Sequence, residues 1–487
     1  MKDIPVEQVL RRLQAENVWW NDPHDIDDNY RALPRRSYFD LLYPLIKESE
    51  VRRAILLMGP RRVGKTVLIH HVIQELLRDG VDPLRICYIS VDHPIYNNLG
   101  LTNLVDRYRE ASNADASTEQ IFVFFDEVQY AKEWEVHLKV LVDTYPNVRF
   151  VASGSAAAAL RLKSNESGAG RFTDFLLPPL TFYEYLNLLD QSHLVGDMNE
   201  ADFFETPDID ALNTAFVHYL NFGGYPEVIF SEEIQADPAR FIKGDIIDKV
   251  LLRDLPSLYG IQDVRELNYL FTTLAYNTAG EISLEQLSQS SGVAKNTIKR
   301  YIEYLEAAFL IKVVHRVDRF GKRFLRATFF KVYLTNPSIR SALFAPVDSG
   351  DDAMGALAET GIFSQWFHSD RFPLHYARWA NGEVDIVNLQ ANGKPFWAVE
   401  VKWSDKPFEH PAALKSVVDF CRQNALDEVT ITTRTKAGVK NVEGIEMTFV
   451  PASIYCYTVG RNVITNPRNA RQSPPSRTAR TGFGPLA

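Results

Sequence analysis

Gly59-Pro60-Arg61-Arg62-Val63-Gly64-Lys65-Thr66 place two glycines, a lysine and a threonine at the spacing of a phosphate-binding loop. Glycines let a backbone wrap phosphates, and the start of the following helix offers free N–H groups and a positive dipole end. Lys65 would reach the outer phosphates and Thr66 would hold Mg²⁺ through its hydroxyl, with ATP as the nucleotide. The cradle comprises Gly59, Pro60, Arg61, Arg62, Val63, Gly64, Lys65, Thr66 and Val67. About sixty residues on, Phe124-Phe125-Asp126-Glu127 ends an apolar run in two carboxylates. Asp126 would complete the Mg²⁺ site, and Glu127 would orient or deprotonate the attacking water.

Two further positions belong to this constellation. Ser153-Gly154-Ser155 ends another apolar run, where Ser153 could sense the γ-phosphate. Equally, the segment could simply cap the helix-forming Ala156–Ala159. Arg171 follows the polar loop Ser164–Gly168. It reads either as a phosphate-sensing arginine or inter-subunit finger, or as a solvated surface arginine. A finger would require a neighbouring subunit, which leaves an oligomer open.

A second constellation lies near the carboxyl terminus. Gly382–Leu389 and Phe396–Trp403 read as strands joined by a tight turn at Gln390–Lys394. Side chains two apart on a strand share a face, so Glu400 and Lys402 point together. Asp385 could meet them across the ladder, and Glu359, on a preceding helix, could add a carboxylate. Two or three carboxylates around a lysine suit Mg²⁺-assisted phosphodiester hydrolysis, with Glu359, Asp385 and Glu400 as ligands. A surface strand carrying a Glu–Lys pair is the alternative.

The elements that must position these groups follow from periodicity. Arg53–Met58 reads as a buried strand and Val67–Leu77 as a helix. Further strands fall at Ile86–Asp92, Ile121–Asp126 and Val148–Ser153. Continuous apolar strands between helices imply a parallel sheet covered on both faces. Ser112–Gln120 reads as a loop.

The chain divides into a lead-in over 1–50, an ATPase core over 51–180 and a helical lid over 181–270. A winged helix-turn-helix follows over 271–345, then an α/β domain over 346–458 and a disordered basic tail over 459–487. In the winged helix, Ala294–Leu305 is the recognition-type helix, and a hairpin turns at Phe320-Gly321-Lys322. Lys295 to Lys331 holds ten Lys/Arg against three Asp/Glu. Arg316, Arg319, Lys322, Arg323 and Arg326 cluster on the proposed wing. Such a surface would take DNA through its phosphates, or else serve protein contacts.

The 487 residues carry 24% charged side chains and a net charge of −9, which speaks against wholesale nucleic-acid binding. No apolar run is long enough to span a membrane, and the N-terminus has no signal-peptide core. Cys87, Cys421 and Cys456 are scattered and not at metal spacing, which suits a reducing cytoplasm.

Together these motifs resemble one family, the predicted bacterial and archaeal ATPases that join an AAA-type core to a carboxyl-terminal domain of unknown function. That domain in turn resembles restriction-endonuclease-like nucleases. The resemblance spans roughly 35–455. It rests on Gly59–Thr66, Asp126-Glu127, Ser153–Ser155, Gly170-Arg171 before Leu177–Leu186, Gly223-Gly224-Tyr225-Pro226, Lys331–Leu334 and Glu400–Ser404. It implies a P-loop NTPase sheet of the additional-strand type, with the Asp126 strand beside the phosphate-loop strand. It also implies that Asp385, Glu400 and Lys402 match the nuclease-like signature, with Glu359 a looser match. Thr335-Asn336-Pro337 departs from the pattern, where an aspartate is often found. Two functions are therefore expected as alternatives. One is a DNA-associated ATPase with a nuclease-like domain; the other is a nucleotide-dependent switch that binds a protein partner, its carboxyl-terminal domain inert.

Overall fold

The structure is a computed structural model describing residues 5–22, 26–48, 51–96, 99–112, 120–154, 170–199, 202–324, 328–368 and 373–465. Ser155, Ala156–Ala159, Ser164–Gly168, Arg326, most of the Ser112–Gln120 loop and the tail from 466 lie outside the described residues. The chain forms two units, Met1–Pro178 and Pro179–Ala487.

The first unit is built on five parallel strands: β1 (Ala54–Met58), β2 (Ile86–Ser90), β3 (Ile121–Asp126), β4 (Val148–Gly154) and β5 (Phe172–Leu176). β1 and β3 are buried along their whole length, which is why their sequences run apolar without alternation. The order β2-β3-β4-β1-β5 corrects one expectation. The Asp126 strand is not beside the phosphate-loop strand, because β4 is inserted between them. Ile55–Met58 pair with Val151–Gly154, and β4 pairs with β3 on its other edge. The insertion brings Ser153 between the loop and the carboxylate.

The lead-in packs onto the β2 edge. Asn17, fully buried, acts as a one-residue strand: its amide donates to the Tyr88 carbonyl (2.9 Å) and its Oδ1 accepts from the Tyr88 N–H (2.6 Å). Trp19 and Trp20 both donate indole N–H groups to the Ile86 carbonyl. These contacts cap the backbone groups that an edge strand would otherwise expose.

The second unit is a nine-stranded mixed sheet: β6 (Glu281–Ser283), β7 (Ile311–Val317), β8 (Phe329–Leu334), β9 (Leu374–Trp379), β10 (Gly382–Leu389), β11 (Pro395–Glu400), β12 (Glu428–Thr433), β13 (Gly438–Val442) and β14 (Ile445–Pro451). Its order is β13-β14-β12-β11-β10-β9-β7-β8-β6. The expected hairpin β7–β8 forms, and so does the hairpin β10–β11 across a turn at Gln390–Lys394. β7 also pairs in parallel with β9 through His315–Val317. The strand expected as a free wing is therefore an interior strand of one continuous sheet. The helices of 182–276 fall within this second unit. The last helix, Ala452–Thr465, is buried over most of its length, so order continues past the expected boundary at 458.

Candidate functional site

At the carboxyl ends of the parallel strands, the phosphate loop is held by its own geometry. Gly64 precedes the helix Lys65–Arg78 at φ 92°, a left-handed conformation that glycine adopts without strain. A Cβ on Gly59 would lie 2.1 Å from the Leu177 carbonyl oxygen, so only glycine lets the chain after β5 pass beneath the loop. Arg62 takes φ 64° without that freedom, so the loop holds a residue in the left-handed region. Buried Arg36 donates from Nη1 to the carbonyls of Val63 (2.9 Å) and Pro178 (3.0 Å), tying the loop crest to the strand that leaves the sheet. Lys65, 5% exposed, donates to the Gly59 and Pro60 carbonyls (3.1 and 2.8 Å). Pro60, Arg61, Val63 and Val67 complete the loop and first turn, with Arg61 3.5 Å from the Tyr130 hydroxyl.

Asp126 is the focus of the site. Its Oδ2 accepts from Thr66 Oγ1 (2.7 Å) and from the Tyr88 hydroxyl (2.9 Å), and its Oδ1 accepts from Ser153 Oγ. Three elements thus converge on one carboxylate through neutral hydroxyls. Thr66 and Asp126 are hard oxygen donors in contact, a pair that fits Mg²⁺. Glu127 sits at φ 55°; its N–H donates to Ser153 Oγ (3.3 Å) and its carboxylate accepts from Gln129. Burial, and next the Asp126 charge, push the Tyr88 phenol well up, so it remains a donor. Behind it, His70 lies between Tyr88 (ring centroids 4.7 Å) and Tyr30 (4.0 Å, stacked), and burial pushes its pKa down to about 4.

Arg171 is elsewhere. Its carbonyl accepts from Ala54 N–H at the amino end of β1, the opposite end of the sheet from the loop, and its Nε pairs with Asp143 at 2.5 Å. Within one chain it is not a phosphate sensor.

In the second unit, Asp385, Glu400 and Lys402 come together as the sequence indicates. Lys402 Nζ lies 2.6 Å from Glu400 Oε1 and 3.2 Å from Asp385 Oδ2, which also accepts the Val401 N–H at 2.9 Å. Glu359 turns instead to Lys331 Nζ (2.9 Å) and the Tyr333 hydroxyl (2.6 Å). Lys331, 3% exposed, also reaches Glu383 (2.7 Å) and Asp385 Oδ1 (3.5 Å). Burial opposes its charge, but Glu359, Asp385 and Glu383 outweigh that and raise its pKa. Burial, and then Asp385, push Glu400 up to about 8 and Glu359 up to about 7. Asp385 itself is held low: burial works against it, but Lys402 and Lys331 prevail.

The fit to a metal differs from that at Asp126. Among the described residues, no group of three His, Cys, Asp or Glu side chains is arranged to hold a metal ion. Glu400 Oε2 is buried with no hydrogen-bond partner, but Glu359 and Asp385 face ammonium groups, so the expected triad of ligands is not assembled.

The basic segment is in part committed within the unit. Lys295 pairs with Glu285, Lys299 with Glu303, Arg319 with Asp419, and Arg316 with Glu281 and the Arg378 carbonyl.

Tyr88, Arg36, Glu383 and the pivotal role of Lys331 escaped sequence reasoning. A lysine inside Phe329-Phe330-Lys331-Val332-Tyr333-Leu334 is itself a signal, because lysine is almost never fully buried unless paired.

Comparison with known proteins agrees with the first unit. Residues 51–186 match the model of an AAA domain, and residues 213–350 match a domain of unknown function. An uncharacterized protein of Methanocaldococcus jannaschii, MJ1637, is 26% identical over 331 residues, covering 65% of this chain and 68% of that protein. An uncharacterized protein of Haemophilus influenzae is 25% identical, covering 61% and 71%. Among solved structures, the Walker-type ATPase PABY2304 of Pyrococcus abyssi aligns over 66% of this chain and 99% of that one, at 14% identity and a TM-score of 0.37. The Saccharomyces cerevisiae Hsp104–ADP complex aligns over 61% and 41%, at 13% identity and a TM-score of 0.31. No helix among the described residues is long and apolar enough to cross a membrane.

Proposed function

We propose that this chain, whose first unit carries an AAA-type ATPase domain, binds ATP with Mg²⁺ and hydrolyses it as a nucleotide-dependent switch. The observation that carries the reading is Asp126, set against Thr66 and Ser153 at the mouth of the phosphate loop. Mg²⁺, when bound, would neutralise the negative charge of the phosphates. The chain's own residues do the rest. Loop amides and the helix start seat the phosphates, and Lys65 would leave the Gly59 and Pro60 carbonyls for the outer phosphates. Thr66 and Asp126 would hold the ion, and Ser153 would stand beside the reacting phosphate. Glu127, turning from Gln129, would take the proton of the attacking water.

For the output of the switch, a protein partner is favoured over DNA. Arg316 and Arg319, expected on a DNA-binding wing, are ion-paired within the unit, and the wing strand is interior. ATP turnover with and without duplex DNA at two salt concentrations, on the native chain and on Lys65→Ala, tests both parts. Lys65→Ala should lower turnover at least about a hundredfold; unchanged turnover refutes the site. DNA should leave turnover unaltered, and salt-sensitive stimulation would restore the DNA-associated, nuclease-like reading.

A further inference from the structure

We infer that Lys331 is a built-in cation that takes the seat of a metal ion in the carboxylate centre of the second unit. This goes beyond the ATP-driven reading and stands apart from it.

Three carboxylates from two elements converge on one ammonium. Lys331 Nζ lies 2.7 Å from Glu383 and 3.5 Å from Asp385, both on β10, and 2.9 Å from Glu359 on the helix Met354–Trp366. The Tyr376 ring closes another side, with its centroid 5.3 Å from Nζ. Asp385 is used twice over: Oδ1 faces Lys331, while Oδ2 takes Lys402 and the Val401 N–H. A divalent ion bridging Asp385 and Glu359 would have to stand where this ammonium stands.

The separations are those of N–H···O contacts. Mg²⁺ would need oxygens at about 2.1 Å in octahedral array and would retain several waters. While the lysine fills it, this position, 3% exposed, gives such a water shell no access from solvent. Lysine supplies the compensating charge in dry form, and it does so from β8. Two strands, β7 and β9, separate β8 from β10 in the sheet order. Replacing the lysine by a neutral side chain would leave three acidic groups around an empty position and should create a divalent site.

The test uses Mn²⁺ as probe, read by the loss of its free electron paramagnetic resonance signal. It uses the full chain without nucleotide, in an Asp126→Asn background that silences the ATP site. Asp126→Asn alone and Asp126→Asn/Asp385→Asn should take up Mn²⁺ equally. Adding Lys331→Met should create one Mn²⁺ per chain, at least tenfold tighter than any residual binding, and Asp385→Asn should remove it. The inference is overturned if the Asp126→Asn chain already holds a stoichiometric Mn²⁺ that Asp385→Asn abolishes. It is also overturned if a folded Lys331→Met gains none. Should Lys331→Met not fold, Lys331→Gln serves in its place, and the comparison without any Lys331 change decides by itself. Failure here leaves Lys65-dependent ATP turnover untouched, so the two readings fail separately.

Discussion

Asp126 ends the buried strand β3 and Asp385 lies within β10, and the two buried carboxylates are dressed in opposite ways. Asp126 accepts from the hydroxyls of Thr66, Ser153 and Tyr88, all neutral. Its hydrogen bonds are satisfied while its charge is not, so the centre calls for a cation from outside. Asp385 faces the Lys331 ammonium and accepts from Lys402 and a backbone N–H, so its compensation is internal and covalently attached. Carboxylates near a lysine can therefore specify either a metal site or a closed ion network. What decides is whether the nearest donors carry charge.

The largest effect that would break this contrast is on turnover. Asp126→Asn keeps the shape and removes the charge that Mg²⁺ needs, so kcat should fall about a hundredfold or more. Tyr88→Phe removes one of three neutral donors. It should cost about tenfold, chiefly as a raised Mg²⁺ requirement in a metal titration of turnover. Equal losses in both variants would mean that Asp126 is structural.

The next effect concerns stability and separates two carboxyls of one cluster. Asp385→Asn removes the carboxylate that two lysines share, one of them buried, and should cost about 3 kcal/mol in urea unfolding of the second unit. Glu400→Gln should cost under about 1 kcal/mol, because burial already favours the neutral form of Glu400. If Glu400→Gln proves as damaging as Asp385→Asn, Glu400 is ionised in the native chain and the network is not self-contained.

Much of the first centre was legible in sequence because it is local. The loop, the helix behind it and the Asp126 strand tip each occupy a continuous stretch whose periodicity reveals its element. The strand order was not legible. Nothing in the apolar run Val148–Ser153 tells which neighbours it will take, and so the insertion of β4 was missed. The second centre shows the same limit more sharply. The hairpin carrying Asp385, Glu400 and Lys402 follows from alternation and a turn. Lys331 comes from a strand more than fifty residues earlier in the chain, with two other strands between it and β10 in the sheet. The basic excess around Lys295–Arg319 looked like a DNA face because sequence shows the cations of one segment, not distant acids such as Asp419 that pair with them.

A smaller effect comes from the column behind Asp126. An unfolded His70 takes up a proton near its ordinary 6.5, whereas in the fold, where burial disfavours the charge, it does so only near about 4. Across that window the unfolded chain binds more protons, so the stability of the first unit should fall as pH falls. The most this single group contributes is about 3 kcal/mol. His70→Phe should flatten the acid limb of a pH series of urea melts, while the slope between pH 7 and 8 stays as it was. An unchanged acid limb would mean that the stacked ring keeps its ordinary affinity for protons.

The smallest effect belongs to Arg171. Its ion pair with Asp143 joins side chains 43% and 45% exposed, in a setting where solvent screens most of the attraction. Arg171→Ala should shift unfolding by less than about 1 kcal/mol. Because the residue lies at the amino end of the sheet, turnover by an isolated chain should not change. Turnover measured across a wide range of protein concentration sharpens the point. A defect that emerges only at high concentration would mean that Arg171 serves the site of a neighbouring copy, where its distance from its own phosphate loop is no obstacle. A defect at every concentration would mean instead that the amino end of β5 controls the loop at its other end, through the strand that leads to Leu177 beneath Gly59.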